Sequence, residues 1–310
     1  MSKKLLLALL AALLLIFVAA CNSDEAEDEI PSTAVRQTID RDGNEVTLPE
    51  RINRIISIGP SNTEILAELG FLDRIIYTDS NSFDVPGLNP DIAVLNMMAL
   101  DVEFLVAAEP DIVLITVMSR GGGDDPLRAM VDMGFSVLYV PTSVSIAEIK
   151  DDIRFVADVM GVHDAGEEIV SSMETEINNV RAIAETISGS RTVYFEISPA
   201  PWMFSFGSGT FLNEIIELVG GTNIFHDQEV WLGVGDEILL ELNPEVILTS
   251  TDFLPDPVAD IMERPGFDSI AAVQSGNVFS IDANASSRPS HNIIQAIREI
   301  ANAIFPEYFS

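Results

Sequence analysis

Short, uniformly apolar runs alternate along most of this chain with stretches whose apolar positions recur every three or four residues. Arg54–Ile58, Arg74–Thr78, Asp111–Thr116 and Ser136–Val140 read as strands, and their apolar runs are too uniform for a sheet covered on one face only. Between them, Ser61–Leu69 ended by Gly70, Val102–Ala108 ended before Pro110, Pro126–Met133 closed by Gly134, and Ile146–Met160 read as helices. Ser61-Asn62-Thr63-Glu64 has the spacing of a capping box and predicts that the first of these helices opens there. The rhythm returns later, with strands over Thr192–Ile197, Val246–Ser250 and Val278–Asp282. Helices are expected over Thr210–Val219, Asp236–Leu242, Val258–Arg264 and Ser290–Phe305. The expected fold class is α/β, with mostly parallel sheets covered by helices on both faces.

His163–Ser188 interrupts the alternation. Ile169, Val170, Met173, Ile177, Val180, Ile183 and Ile187 give it one continuous apolar stripe, with no proline and no glycine after Gly166. A rod of about 24 residues is about 36 Å long, enough to run between two lobes. The chain thus divides into a leader (1–20), an acidic tether with a hairpin expected at Asp42-Gly43 (21–50), an N-terminal α/β lobe (51–162), a linking helix (163–188) and a C-terminal α/β lobe (189–310). One unit occurs in both lobes: Val102–Thr116 and Asp236–Thr249 each run helix, proline break, apolar strand.

The first residues carry their own signal. Lys3 and Lys4 precede the apolar run Leu5–Ala20, and small residues lead to Cys21, the chain's single cysteine. Val18-Ala19-Ala20-Cys21 resembles the bacterial lipoprotein signal, in which the cysteine sulfur receives a diacylglycerol and becomes the new N-terminus. The run of about 16 apolar residues is short for a spanning helix. The resemblance implies a body outside the cytoplasm, at the outer face of a Gram-positive-type membrane or in a periplasm, held to the membrane by lipid alone. With one cysteine, no internal disulfide is available.

Charge narrows the partners. The formal net charge is −33, with 49 acidic against 16 basic residues, and loss of the leader lysines makes it more negative. Nucleic acid is excluded as a partner, because binding it needs basic patches to neutralise phosphates. Lys150 is the one lysine left beyond the leader. Acid excess with lysine depletion suits a saline or alkaline exterior, and compositional drift gives the same pattern.

Enzyme chemistry finds little support. His163, His226 and His291 are far apart and lack metal-ligand spacing. Gly207-Ser208-Gly209-Thr210 is too short for a P-loop and lacks its lysine, and a G-x-S-x-G elbow is absent. No catalytic residue, resident metal or cofactor is expected.

Gly59-Pro60-Ser61-Asn62-Thr63-Glu64 after the first strand, the repeated helix-proline-strand unit, the single long helix and Phe211–Phe225 followed by Trp231 together resemble one family. It is the periplasmic-type (class III) binding proteins that deliver ferric siderophores, haem or cobalamin to an ABC importer. The resemblance runs from about Arg51 to the C-terminus. It implies two Rossmann-like lobes on a rigid helix, with ligand in the cleft between them. The partners it implies are a permease dimer with its ATPase, met by a monomeric binding protein. Matching positions imply permease contacts at Glu103 and Glu237, each at the start of a helix. They imply ligand contacts at Ser82, Phe83 and Met97 on the first lobe, and at Trp202, Phe204, Trp231 and Arg288 on the second. Arg120, before Gly121-Gly122-Gly123, is a weaker candidate. No histidine cluster favours a bare metal ion, and neither Tyr77 nor His291 is a convincing haem ligand. Few basic residues are placed for an anionic tricatecholate. The expected ligand is an Fe(III)-siderophore of hydroxamate-like, low charge, or alternatively a corrinoid. A sensory or scaffolding lipoprotein of the same fold is the non-transport alternative.

Overall fold

The computed structural model describes residues 36–97, 99–116, 125 and 127–309; the leader, Cys21, most of the tether and Arg120 lie outside them. Strands β1 (Arg36–Ile39) and β2 (Glu45–Leu48) form an antiparallel hairpin. Asp40 closes its turn. This buried carboxylate accepts the Asp42 and Asn44 amides, and it also accepts the Tyr139 amide at 3.0 Å, which fixes the hairpin to the main sheet.

The first lobe follows, with β3 (Ile55–Ile58), α1 (Pro60–Glu68), β4 (Ile75–Asp79), β5 (Ala93–Leu95), α2 (Val102–Ala107), β6 (Ile112–Thr116), α3 (Arg128–Asp132) and β7 (Val137–Val140). Its strands make one parallel sheet in the order β5-β4-β3-β6-β7. Helices α4 (Ile146–Met160) and α5 (His163–Ala184) lead onward. The second lobe contributes β8 (Thr192–Glu196), β9 (Phe204–Phe206), α6 (Phe211–Leu218), β10 (Thr222–Asn223), β11 (Trp231–Gly233), α7 (Asp236–Leu242) and β12 (Val246–Thr249). After these come α8 (Pro257–Met262), α9 (Ala271–Ser275), β13 (Val278–Ser280), α10 (Ala283–Ser287), α11 (Ile293–Ile304) and α12 (Pro306–Phe309). Here β8, β10, β12 and β13 form a parallel sheet in the order β10-β8-β12-β13, while β9 and β11 pair antiparallel.

The two-residue period of the strands sorts their side chains into separate cores. In the first sheet Ile55, Leu114 and Val140 enter a large apolar body, while Ile56, Val113 and Tyr139 enter a smaller cluster beneath the opposite face. In the second sheet Val193, Phe195, Val246 and Leu248 enter the same large body, and Tyr194 and Ile247 a cluster of their own. The two lobes therefore share one core. Val170, Met173, Ile177 and Val180 of α5 are buried in it, and α5 packs on α4, α6 and α11. Gly166 lets α5 approach α4 closely, because a Cβ there would stand 2.5 Å from the Ala157 Cβ.

Two local expectations change. The linking helix ends at Ala184 rather than Ser188, giving 22 residues and a rod of about 33 Å. Thr186 donates its hydroxyl to the Ile183 carbonyl, and Gly189 turns away at φ +91°, so Ile183 is left 36% exposed and Ile187 lies past the helix. No capping box opens α1. The helix begins at Pro60, with Gly59 before it at φ +114° and no side-chain cap. A Cβ on Gly59 would come within 2.7 Å of Thr116 Oγ1, so both the dihedral and the space require glycine. Ser61, Asn62, Thr63 and Glu64 are buried instead. Thr63 bonds to Ser57 at 2.8 Å inside the first lobe, and Glu64 reaches the second lobe.

A shared core on one continuous helix leaves no hinge between the sheets. Small-angle scattering with and without saturating ligand should give radii of gyration within about 1 Å of each other. A contraction of several ångströms on binding would show that α5 is not the rigid joint described.

Candidate functional site

A cleft of about 760 Å³ separates the lobes. Its walls come from the segments that leave the C-terminal ends of the parallel strands, where open α/β sheets present their ligand sites. Pro60 and Ser61 follow β3, Asn81, Phe83 and Asp84 follow β4, Met97 follows β5, Thr116 ends β6, and Thr142–Val144 follow β7. Opposite them, Ile197 follows β8, Ser250 and Asp252 follow β12, and Ala283–Pro289, interrupted only at Ala285, follow β13. Thr210, Phe211, Leu212 and Trp231 complete the second wall. Thr116 is buried, yet its hydroxyl has no protein partner among the described residues, so it is available to a guest.

The residues singled out in the sequence fall into three groups. Phe83, Met97, Trp231 and Arg288 meet in the cleft lining. Phe83 is 72% exposed there and Trp231 46%, the latter resting edge-on against buried Phe206 with centroids 6.1 Å apart. Met97 is nearly buried and receives the Asn81 amide on its sulfur at 3.2 Å. Ser82 does not reach the cleft. It is fully buried behind it and donates to Asp79 at 2.7 Å, while the Asp79 carboxylate also accepts the Gly59 and Asn81 amides. Ser82 thus holds the loop that presents Phe83. Trp202 and Phe204 are absent from the lining. Trp202 stands 82% exposed, and Phe204 opens β9 opposite Gly233 rather than opposite Trp231.

Arg288 serves the seam between the lobes as much as the cleft. Its guanidinium donates to Glu64 at 3.0 Å, to Asp84 at 2.8 Å and to the Asn81 carbonyl at 2.7 Å. Ser290 and Asn292 donate to the same Glu64 carboxylate, and Asn284 donates to Asp84 at 2.7 Å. Burial opposes the charge on Arg288, but the hydrogen bonds to Asp84 and Glu64 outweigh it and push its pKa above the usual value. Burial likewise tends to raise Asp84, but hydrogen bonds from Arg288 and Asn284 prevail and hold its carboxyl below the usual range. His291, 3.4 Å from Glu68 across the same seam, is pushed down by burial. The one cation in the described lining is therefore already matched by two carboxylates, and Asp252 adds another negative group to the lining. Asp84, Asn81 and Thr116 escaped sequence reading. Glu64 was read there as a capping residue and part of the Gly59–Glu64 motif, and its role at the seam was hidden because its partner is 224 positions away.

Outside the cleft, Glu103 and Glu237 lie in the first turns of α2 and α7, both exposed and without an ion pair among the described residues. Each is followed by a surface apolar residue, Phe104 at 44% exposure and Ile238 at 38%. No group of histidine, cysteine or carboxylate side chains among the described residues is arranged to hold a metal ion.

Three relatives frame this geometry. The uncharacterized ABC transporter substrate-binding lipoprotein YvrC of Bacillus subtilis is 29% identical, over 96% of this chain and 97% of its own. The vitamin B12-binding protein of Vibrio cholerae is 25% identical, over 81% and 89%. A solved structure of a possible iron-binding, periplasmic solute-binding protein from Staphylococcus epidermidis superposes with a TM-score of 0.72 at 25% identity, over 82% of this chain and 99% of that one. The sequence profile of the periplasmic binding protein family matches residues 55–285, which span both sheets and the helix between them, and the chain belongs to that family.

Proposed function

We propose that this protein captures a bulky metal chelate of low charge outside the cytoplasm and hands it to the permease of an ABC importer. The reading rests on the cleft: largely apolar and hydroxyl side chains surround about 760 Å³, and its described cation, Arg288, is already outweighed by Glu64 and Asp84. An anionic guest would have to displace those carboxylates or enter beside them, at a cost set by poorly screened charges in a partly buried site. A corrinoid, rich in amides and close to neutral, suits such a wall, and the B12-binding relative at 25% identity supports it. A hydroxamate-type Fe(III)-siderophore is the second reading, supported by the possible iron-binding neighbour. Haem and tricatecholate complexes fit less well, since their carboxylates or catecholates would meet Asp84 and Asp252.

Trp231 and Phe83 supply the exposed ring surface of the cleft, and burying one such ring against a guest is worth about 1.5–3 kcal/mol. Trp231→Ala should weaken binding of cobalamin or of a ferric hydroxamate by about tenfold to a hundredfold, measured by titration calorimetry. Trp202→Ala should leave the same affinity unchanged. Ferric enterobactin, carrying three negative charges, should bind weakest of the three. Tightest binding of the tricatecholate, or equal losses from both tryptophan changes, would sink this account of the pocket.

Glu103 and Glu237 are proposed as the contacts with basic sites on the two permease subunits, each backed by its neighbouring apolar side chain, Phe104 or Ile238. Exposed charge pairs contribute at most about 1 kcal/mol each. Glu103→Ala with Glu237→Ala should therefore weaken docking, and with it uptake at limiting protein, by up to about thirtyfold, against about fivefold for either single change, with ligand affinity unaltered. Uptake by the double variant at the normal rate would place the contact elsewhere.

The anchor is proposed to be a lipid on Cys21, supported by the leader pattern and by the lipoprotein relative YvrC. Labelled fatty acid should enter the native protein and not Cys21→Ser, which should appear in the soluble fraction. Equal labelling of both forms would remove the anchor from the proposal.

A further inference from the structure

Arginines in this chain are scarce and mostly spoken for by acids. Arg41, Arg128, Arg154, Arg191, Arg264, Arg288 and Arg298 each pair with a carboxylate. Five have no carboxylate partner among the described residues, and three of these, Arg36, Arg51 and Arg74, line a single pocket of about 250 Å³ on the first lobe, away from the ligand cleft. Glu50 is the one acid on the same rim. With 49 acidic and 16 basic residues in the chain, three guanidinium groups without a carboxylate partner at one spot call for a cause.

Two of the three are held in place by the fold. Arg36 donates to the carbonyls of Asp158 and Val159, at 3.2 and 2.9 Å, where α4 ends. Arg74 donates to the Ile52 carbonyl at 2.7 Å and lies 4.8 Å over the Phe71 ring. These bonds employ only part of each planar fork and leave further N–H donors free. Arg51 is exposed, and no hydrogen bond or ion pair joins its side chain to the described residues, so packing does not account for it. Like charges gathered this way repel until an anion enters, and the arginine fork matches phosphate oxygens in pairs.

We infer that this pocket binds the phosphodiester anion of an acidic phospholipid headgroup. The place of the pocket in the chain favours a membrane source. Arg36 is the first described residue, fifteen positions after Cys21, and that length of chain spans at most about 50 Å fully extended. If Cys21 carries lipid, as proposed above, the tether adds to the pocket's own affinity by keeping it at a high effective concentration of headgroups. The rest of the body is strongly acidic and repelled by the same surface. One basic pocket at the root of the tether would then set which way the lobes face.

The test uses the processed chain, residues 21–310, carrying Cys21→Ser so that no acyl chain contributes, sedimented with vesicles. On phosphatidylcholine containing about 30 mol% phosphatidylglycerol at low salt, the bound fraction should exceed that on pure phosphatidylcholine by about fivefold. The excess should vanish in about 0.5 M salt. Arg51→Glu, a change at an exposed side chain with no partner among the described residues, should remove it while the melting temperature stays put. No preference for the acidic vesicles, or a preference that survives Arg51→Glu, would overturn the inference. So would a melting temperature raised by inorganic phosphate in the native sequence but not in Arg51→Glu, without sedimentation, because the pocket would then serve a free anion. The outcome is independent of the anchor: sedimentation without acylation of Cys21 would keep the pocket and discard the anchor, and acylation without sedimentation the reverse.

Discussion

Everything in this molecule that bears on ligand capture depends on the burial of one stripe of α5. Val170, Met173, Ile177 and Val180 lie in the same apolar body as the inward faces of both sheets. Each such side chain contributes about 1.5–3 kcal/mol when taken out of water, and none can leave that body without exposing strands of both lobes. The distance and angle between the sheets are thereby set by side-chain packing on a rod, and a packed core deforms little. The cleft is the gap left between two sheets whose C-terminal edges face each other over this joint, so its width is a property of the core.

Polar chemistry then closes the gap from the side. Glu64 leaves α1 of the first lobe and accepts from Arg288, Ser290 and Asn292 of the second. Buried pairs of this kind give modest net stability, because desolvation offsets their attraction. They do specify geometry, since an unpaired Glu64 or Arg288 would be costly in any other arrangement of the lobes. Using Arg288 in this way also alters the cleft. A guanidinium that the family resemblance offers as a ligand contact becomes part of a group with one net negative charge, and the preference shifts away from anionic guests.

The outer surface follows a different rule. On an acidic body, acids such as Glu103 and Glu237 gain meaning from where they stand, each in a helix's first turn beside an exposed apolar side chain. Arginines without a carboxylate partner among the described residues gain it by convergence, as in the pocket of Arg36, Arg51 and Arg74. In both cases the surroundings of the charge, more than its presence, distinguish it from the general solvating acidity of the chain.

Periodicity located the longer strands, the long helix and the two-lobe order, because burial on both faces of a sheet and on one face of a helix leaves repeats of two and of three to four residues, whereas the two- and three-residue strands β5, β9, β10 and β11 are too short to show a period. The loops after the strands were legible for the same reason, and within them the family resemblance pointed to Phe83, Met97, Trp231 and Arg288. The rest is decided by contacts distant in sequence. Ser82 faces Asp79 behind the cleft, Trp202 lies outside it, and Ser61 to Glu64 are buried rather than capping a helix. Arg288 meets Glu64 only because the folded core brings residues 224 positions apart to hydrogen-bonding distance. Local pattern records which face of an element is buried, whereas the partner found on that face is chosen by the packing of whole lobes, and that information is written in no single stretch of the chain.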